Sequence, residues 1–198
     1  TCAGQSGSLI LRSSTQYVDI GTNGTTVANN YVIFTLGTGG GNERARVTMQ
    51  GLRVSSAGRF SNTGDARAVI YNFRGATSDA TPTEIFLGPT AVNERLLLDG
   101  QTTVQFEAKI SAYDSSNEKA AAWTIRGAIK SDDSDNTALL GTVTTERWYD
   151  AEMENTVAVV TADINNHALA ITVTGLAAAN IRWHAAVVTS EVSFGSPY

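Results

Sequence analysis

The sequence predicts an all-β protein. An extended N-terminal arm of short strands covers residues 1–80, and an antiparallel β-sandwich of about eight strands covers residues 81–198, with a jelly roll as one arrangement that fits. Three observations carry this reading. Apolar and polar residues alternate at period two in several segments beyond residue 100. Eighteen glycines, with many Thr, Ser and Asn, punctuate the chain at turn-like intervals. No window of about eleven residues sustains an apolar stripe of helical period.

In the arm, short apolar runs at residues 9–11, 17–20, 31–36, 47–49 and 52–54 each suit one strand, and glycine-rich breaks separate them. Strands this short bury too little area by themselves to offset the entropy of ordering their backbone, so the arm is expected to need partners, copies of the same chain first among them. The alternative is that these strands join one larger sandwich with the rest of the chain. The polar passage at residues 77–83 marks the expected boundary, near Ala80.

Beyond it, Val104, Phe106, Ala108, Ile110 and Ala112 alternate with Gln105, Glu107, Lys109 and Ser111, which puts one face on a core and the other in water. Ala121, Trp123, Ile125, Gly127 and Ile129 repeat the pattern, as do Leu169, Ile171 and Val173, and then Ile181, Trp183, Ala185 and Val187. Further strands are expected at residues 83–87, 94–98, 138–145 and 157–163. Residues 176–180 amount to one turn at most.

Composition excludes several function classes. The net charge is −5 and the 14 basic residues form no cluster beyond Arg44-Ala45-Arg46, so no nucleic-acid partner is expected. No apolar run approaches the roughly 18 residues of a membrane-spanning helix, so no membrane insertion is expected either. The single cysteine, Cys2, rules out an intrachain disulfide and a Cys-rich zinc site, and reads as incidental. The chain opens at Thr1 without a basic segment followed by an apolar one, as expected of a chain whose leader is absent or removed, or of a fragment.

Candidate chemistry is thin. His167 and His184 are the only histidines, no G-x-S-x-G elbow is present, and alternation points His184 outward, so both are read as structural. Glu152 with Glu154, and Glu146 with Asp150, are the carboxylate pairs a polysaccharide depolymerase would use. The chain has no room for the large groove such enzymes need, so no catalytic residue is assigned and no enzyme is expected. In the acidic stretch at residues 132–136, Asp133 and Asp135 are weak metal candidates, but a solvated hairpin tip is the better reading and no cofactor is expected. Trp123 and Trp183 alternate with core positions. Trp148-Tyr149, between Arg147 and Asp150 in a loop-like stretch, is the candidate exposed contact.

Two segments resemble a known class. Residues 42–60, with Glu43-Arg44-Ala45-Arg46-Val47 followed by Gly51-Leu52-Arg53-Val54 and Gly58-Arg59-Phe60, resemble the shaft segments of bacteriophage tail fibres. The stretch from Trp123-Thr124-Ile125-Arg126-Gly127 through Ala138-Leu139-Leu140-Gly141 and Ile171-Thr172-Val173 to Ile181-Arg182-Trp183-His184 is similar to a β-sandwich module on the C-terminal side of such fibres. The resemblance implies a homotrimeric tail-fibre or tail-spike protein at the virion surface, contacting other virion proteins and a host-surface glycan or protein receptor. It makes Val47, Met49, Leu52, Val54 and Phe60 the trimer-interface candidates. It directs receptor contact to loops 113–119, 131–136 and 147–154, with Arg147, Trp148, Tyr149 and Asp150 as candidates. No autocatalytic chaperone domain of the kind that follows in the longest fibres is read in these residues, and the expectation is that it was removed or that this protein never had one. A capsid decoration or head-fibre protein is the alternative reading.

Overall fold

The computed structural model describes the backbone of residues 9–13, 16–22, 30–35, 43–49, 52–60, 63–88 and 94–194, and the side chains of Phe60, 65–88 and 94–194. The protein is all-β. In the N-terminal part lie β1 (Leu9–Ser13), β2 (Gln16–Thr22), β3 (Asn30–Thr35), β4 (Glu43–Met49), β5 (Leu52–Arg59) and β6 (Thr63–Thr77). The middle of the chain forms β7 (Pro82–Ile85), β8 (Leu96–Leu97), β9 (Thr102–Asp114), β10 (Lys119–Ser131), β11 (Thr137–Leu139) and β12 (Thr144–Tyr149). A 3-10 turn, Ala151–Met153, precedes β13 (Val157–Asp163), β14 (Ala168–Thr174) and β15 (Ile181–Ser193).

These strands make two antiparallel sheets. An eleven-stranded sheet runs in the order β1-β2-β3-β4-β5-β6-β15-β9-β10-β11, with β12 also on β10; a four-stranded sheet runs β13-β14-β7, with β8 also on β14. The pairing lends no support to the jelly-roll arrangement. The core lies between the small sheet and the stretch of the large sheet from β6 to β10, and includes Phe73, Ile85, Phe106, Ile110, Ile125, Ile171 and Val187. The turn expected to bound the sandwich, near Ala80, follows β6, and β6 itself contributes Val69, Tyr71 and Phe73 to that core. The core therefore draws on residues from both sides of it.

Alternation has its expected effect. Along β9 and β15 buried and exposed residues succeed one another over 13 positions each, with the apolar set named from the sequence facing inward. On β10, Gly127 keeps the inward phase without a side chain because Phe106, its cross-strand partner, occupies the space; a Cβ there would come within 2.9 Å of the Phe106 ring. Trp123 and Trp183 are both buried, with ring centroids 5.5 Å apart, and the Trp183 indole donates to Thr77 Oγ1 at 3.0 Å. This satisfies the one polar atom that burial of the ring would otherwise leave unpaired.

At the other end of β15, Glu191 lies opposite Arg67 and is 6% exposed. Its carboxylate accepts from Arg67 Nε at 2.6 Å, from the Tyr71 hydroxyl at 3.0 Å and from Thr189 Oγ1 at 2.5 Å. Burial, and then the Glu191 charge, push the Tyr71 phenol well above its ordinary pKa, so it stays protonated and donates. Burial works against the Arg67 charge, but Glu191 outweighs it and raises the guanidinium pKa.

Two expected elements are corrected. The single strand expected over residues 138–145 is split into β11 and β12, because Gly141 takes a left-handed backbone, with φ of 75°, and turns the chain between them. The loop expected at 147–154 starts later: Arg147, Trp148 and Tyr149 belong to β12 and pair with Trp123, Ala122 and Ala121.

Alternation on β15 makes a direct test. Trp183→Ala should destabilise the chain by about 3–5 kcal/mol. Val188→Thr, at an outward position of the same strand, should stay within about 0.5 kcal/mol of the parent in urea unfolding.

Candidate functional site

The outer face of the large sheet carries a shallow, open hollow of about 850 Å³ at the end nearest the β9–β10 hairpin. Register places its walls. Trp148 pairs with Ala122, Ala122 with Ser111 and Ser111 with His184, one row running across β12, β10, β9 and β15. In the next row Tyr113 pairs with both Ala120 and Arg182. Cross-strand neighbours lie about 4.8 Å apart, so in the first row the small Ala122 and Ser111 leave a gap between Trp148 and His184, and in the second Ala120 continues that gap beside Tyr113. Ser111, Ala120 and Ala122 are that low floor. Trp148 and Tyr113 stand over it, 56% and 52% exposed, with Arg182 and His184 on the β15 side.

Charges around the hollow are unevenly committed. Asp150 holds the backbone of Ala120 twice: its N–H donates to the Ala120 carbonyl at 3.0 Å, and its Oδ2 accepts from the Ala120 N–H at 2.9 Å. Lys119 pairs with Glu152 at 3.2 Å. Further along the same face, Lys109, Glu107, Arg126 and Glu146 form a chain of ion pairs at 2.6–3.1 Å. Hydrogen bonds from Arg126 and Lys109 hold the Glu107 carboxyl below its usual pKa. By contrast, the side chains of Arg182 and His184 enter no ion pair or hydrogen bond among the described residues.

Of the four receptor-contact candidates, the structure brings Trp148, Tyr149 and Asp150 to the hollow and sends Arg147 the other way. The Arg147 guanidinium lies 5.3 Å from the Trp123 ring centroid and 4.1 Å from that of Tyr149. Its Nη2 donates to the carbonyls of Met153 and Glu154 at 2.6 and 2.8 Å and to Thr156 Oγ1 at 3.2 Å. Arg147 therefore clamps the turn after β12 and fixes the strand that presents Trp148.

Asp133 and Asp135 are exposed in the loop after β10. That loop is organised by Asp132, whose carboxylate accepts from the Ser134 and Asn136 backbones at 2.9 Å each, and among the described residues no group of three metal-ligating side chains converges. His167 Nδ1 lies 2.6 Å from the Asp135 carbonyl, and His184 is exposed, as alternation required. Three of the four carboxylates weighed for hydrolysis are engaged: Glu146 on Arg126, Glu152 on Lys119 and Asp150 on Ala120. The side chains of Val47, Met49, Leu52 and Val54 lie outside the described residues. Phe60 is 76% exposed, and its N–H donates to Asp65 Oδ1 at 2.8 Å.

Sequence reasoning missed Arg182 and His184 as wall residues. Their outward phase was legible, but their adjacency to Trp148 depends on the strand order β15-β9-β10-β12, which no local pattern encodes.

Comparison with known proteins adds little. No family model and no curated protein matches the sequence. Among solved structures, the tailspike protein of Acinetobacter baumannii phage AM24 matches at 11% identity and a TM-score of 0.27, over 61% of this chain and 27% of that one. The chain thus spans about a quarter of that tailspike's length. This distant likeness assigns neither family nor function.

Two expectations test the frame of the hollow. Asp114, buried at the end of β9, accepts from Asn117 Nδ2 at 2.7 Å and from the Ser116 N–H at 2.8 Å. The Asn117 bond leads in holding its carboxyl below the usual pKa. A depressed folded-state pKa stabilises above the unfolded value, and the contribution is lost as pH falls through the folded one. Stability of the parent chain should therefore drop below about pH 4, and Asp114→Asn should flatten that acid limb in pH-dependent urea melts. Arg147→Lys, which keeps the charge but loses the planar fork, should cost about 1–2 kcal/mol and open residues 147–156 to limited proteolysis.

Proposed function

We infer that this chain is a structural protein of a bacteriophage virion, a trimeric tail-fibre or tail-spike component whose sandwich faces the host surface. The observation that carries this reading is the uneven size of the two sheets. Five strands, β1 to β5, extend the large sheet beyond β6, while the small sheet packs over the stretch from β6 through β15, β9 and β10 to β11. Among the described residues no second layer lies over β1 to β5; a sheet left uncovered is not a stable way to end a domain, and copies of the same chain are the most economical cover. The likeness of residues 42–60 to fibre-shaft segments supports the same assembly, and the exposed Phe60, where β5 turns into β6, suits a contact between chains.

In this reading the strands before β6 mediate trimerisation, the sandwich projects outward, and the hollow around Trp148 is the receptor-facing surface. Size-exclusion chromatography with light scattering should give three times the 20.9 kDa chain mass at micromolar concentration. Phe60→Asp and Val54→Asp should shift the population toward monomer. A stable parent monomer would overturn the trimer. Gold labelling of the particle should place the chain on the tail in a few copies; hundreds of copies on the shell would make it a decoration protein instead.

A further inference from the structure

We propose that the hollow on the outer face binds an acidic saccharide chain, with one pyranose ring stacked on Trp148 and a carboxylate further along the same chain held by Arg182. The proposal rests on reading the chain as receptor-facing, and it adds the chemistry of the ligand.

Shape argues for a polymeric saccharide. The hollow, at about 850 Å³, falls within the size range of small-ligand sites, yet it is open along the sheet, so a ligand can enter and leave it as a continuing chain. An indole 56% exposed beside a floor of Ala122 and Ser111 offers a flat apolar face with room above the neighbouring strand. The C–H face of a pyranose fits such a ring, burying apolar area while its hydroxyls stay in water.

Charge argues for an acidic one. The acidic wall residue, Asp150, has its carboxylate on the Ala120 N–H, and the basic Lys119 nearby is matched by Glu152. The ion-paired row from Lys109 to Glu146 is likewise internally satisfied. What remains is Arg182, a guanidinium with no anion on it among the described residues, next to an exposed imidazole, His184, on the β15 side of the floor. On a chain of net charge −5, a cation left without a partner beside an exposed aromatic ring is complementary to an anionic ligand. A guanidinium holds a carboxylate through two parallel N–H donors, and His184 can supply a further donor to a hydroxyl.

Calorimetric titration of the full chain tests this with three acidic probes, an oligomannuronate hexamer, a hyaluronan hexasaccharide and an α2,8-linked oligosialate, against neutral maltohexaose. At least one acidic probe should bind, with maltohexaose at least tenfold weaker. Arg182→Gln should weaken the acidic probe tenfold or more and leave any maltohexaose binding unchanged, and Trp148→Ala should abolish both. Both side chains are exposed, and thermal melts of the variants should match the parent.

Silence from all three acidic probes, equal affinity for maltohexaose, or an Arg182→Gln variant that binds like the parent would each overturn the proposal. Gold labelling of the particle is decided separately. A chain found on the tail that binds no acidic sugar refutes the ligand but not the receptor-facing reading, whereas a chain found on the shell refutes that reading even if the sugar binds.

Discussion

Two polar anchors eight residues apart on β15 hold the register on which the rest of the structure depends. At one end the Trp183 indole reaches Thr77; at the other, Glu191 meets Arg67 and Tyr71, and all three partners belong to β6 or its last residue. Because side chains alternate with period two, sliding β15 by one residue past β6 or β9 would turn every inward residue of one strand toward solvent. Apolar packing alone tolerates a slip of two, since it restores the phase. The anchors do not: a slip of two would leave a buried carboxylate and a buried indole N–H without partners, each at a cost of about 1–3 kcal/mol or more. Polar groups in the core thus specify which in-phase alignment is adopted, and hydrophobic burial supplies the drive.

The same alignment shapes the outer face. Once β15, β9, β10 and β12 are locked side by side, Tyr113 and Arg182 must be neighbours, and Trp148 must look across Ala122 and Ser111 toward His184. Alanine is a poor strand former, and an outward alanine adds nothing to the core, so Ala120 and Ala122 are not explained by stability. The relief they leave is a consequence of register. Arg147 contributes from behind: pointing inward from β12, it ties the following turn and the Trp123 ring to the strand whose next residue is Trp148.

The sequence made much of this legible. Val104 to Ala112 and Ile181 to Val187 announced their faces because each long central strand buries one side only. The outward His184 and the inward Trp123 and Trp183 followed from the same alternation. What escaped was non-local. Arg147 looked like a surface contact because the Trp123 ring it packs on is brought to it by the pairing of β12 with β10, not by proximity in sequence. The break between β11 and β12 hung on the left-handed backbone of Gly141, and nothing distinguished that glycine from the many others. Arg182 and His184 needed the strand order.

Strand order also separates the two tasks assigned to the chain. The arm strands β1 to β5 join the large sheet through β6, whereas the hollow spans β15, β9, β10 and β12, on the other side of β6 in the same sheet. A partner that covered the arm strands would therefore leave the hollow open, and a ligand in the hollow would not compete with assembly. A shallow site with one stacking ring and one cation is built for weak contact, since an open face excludes little water and orders few ligand groups. Weak sites become useful when several are held on one body, because a second contact then forms at the high effective concentration set by the first. If the arm assembles and the hollow binds weakly, as proposed, the two form a coherent division of labour.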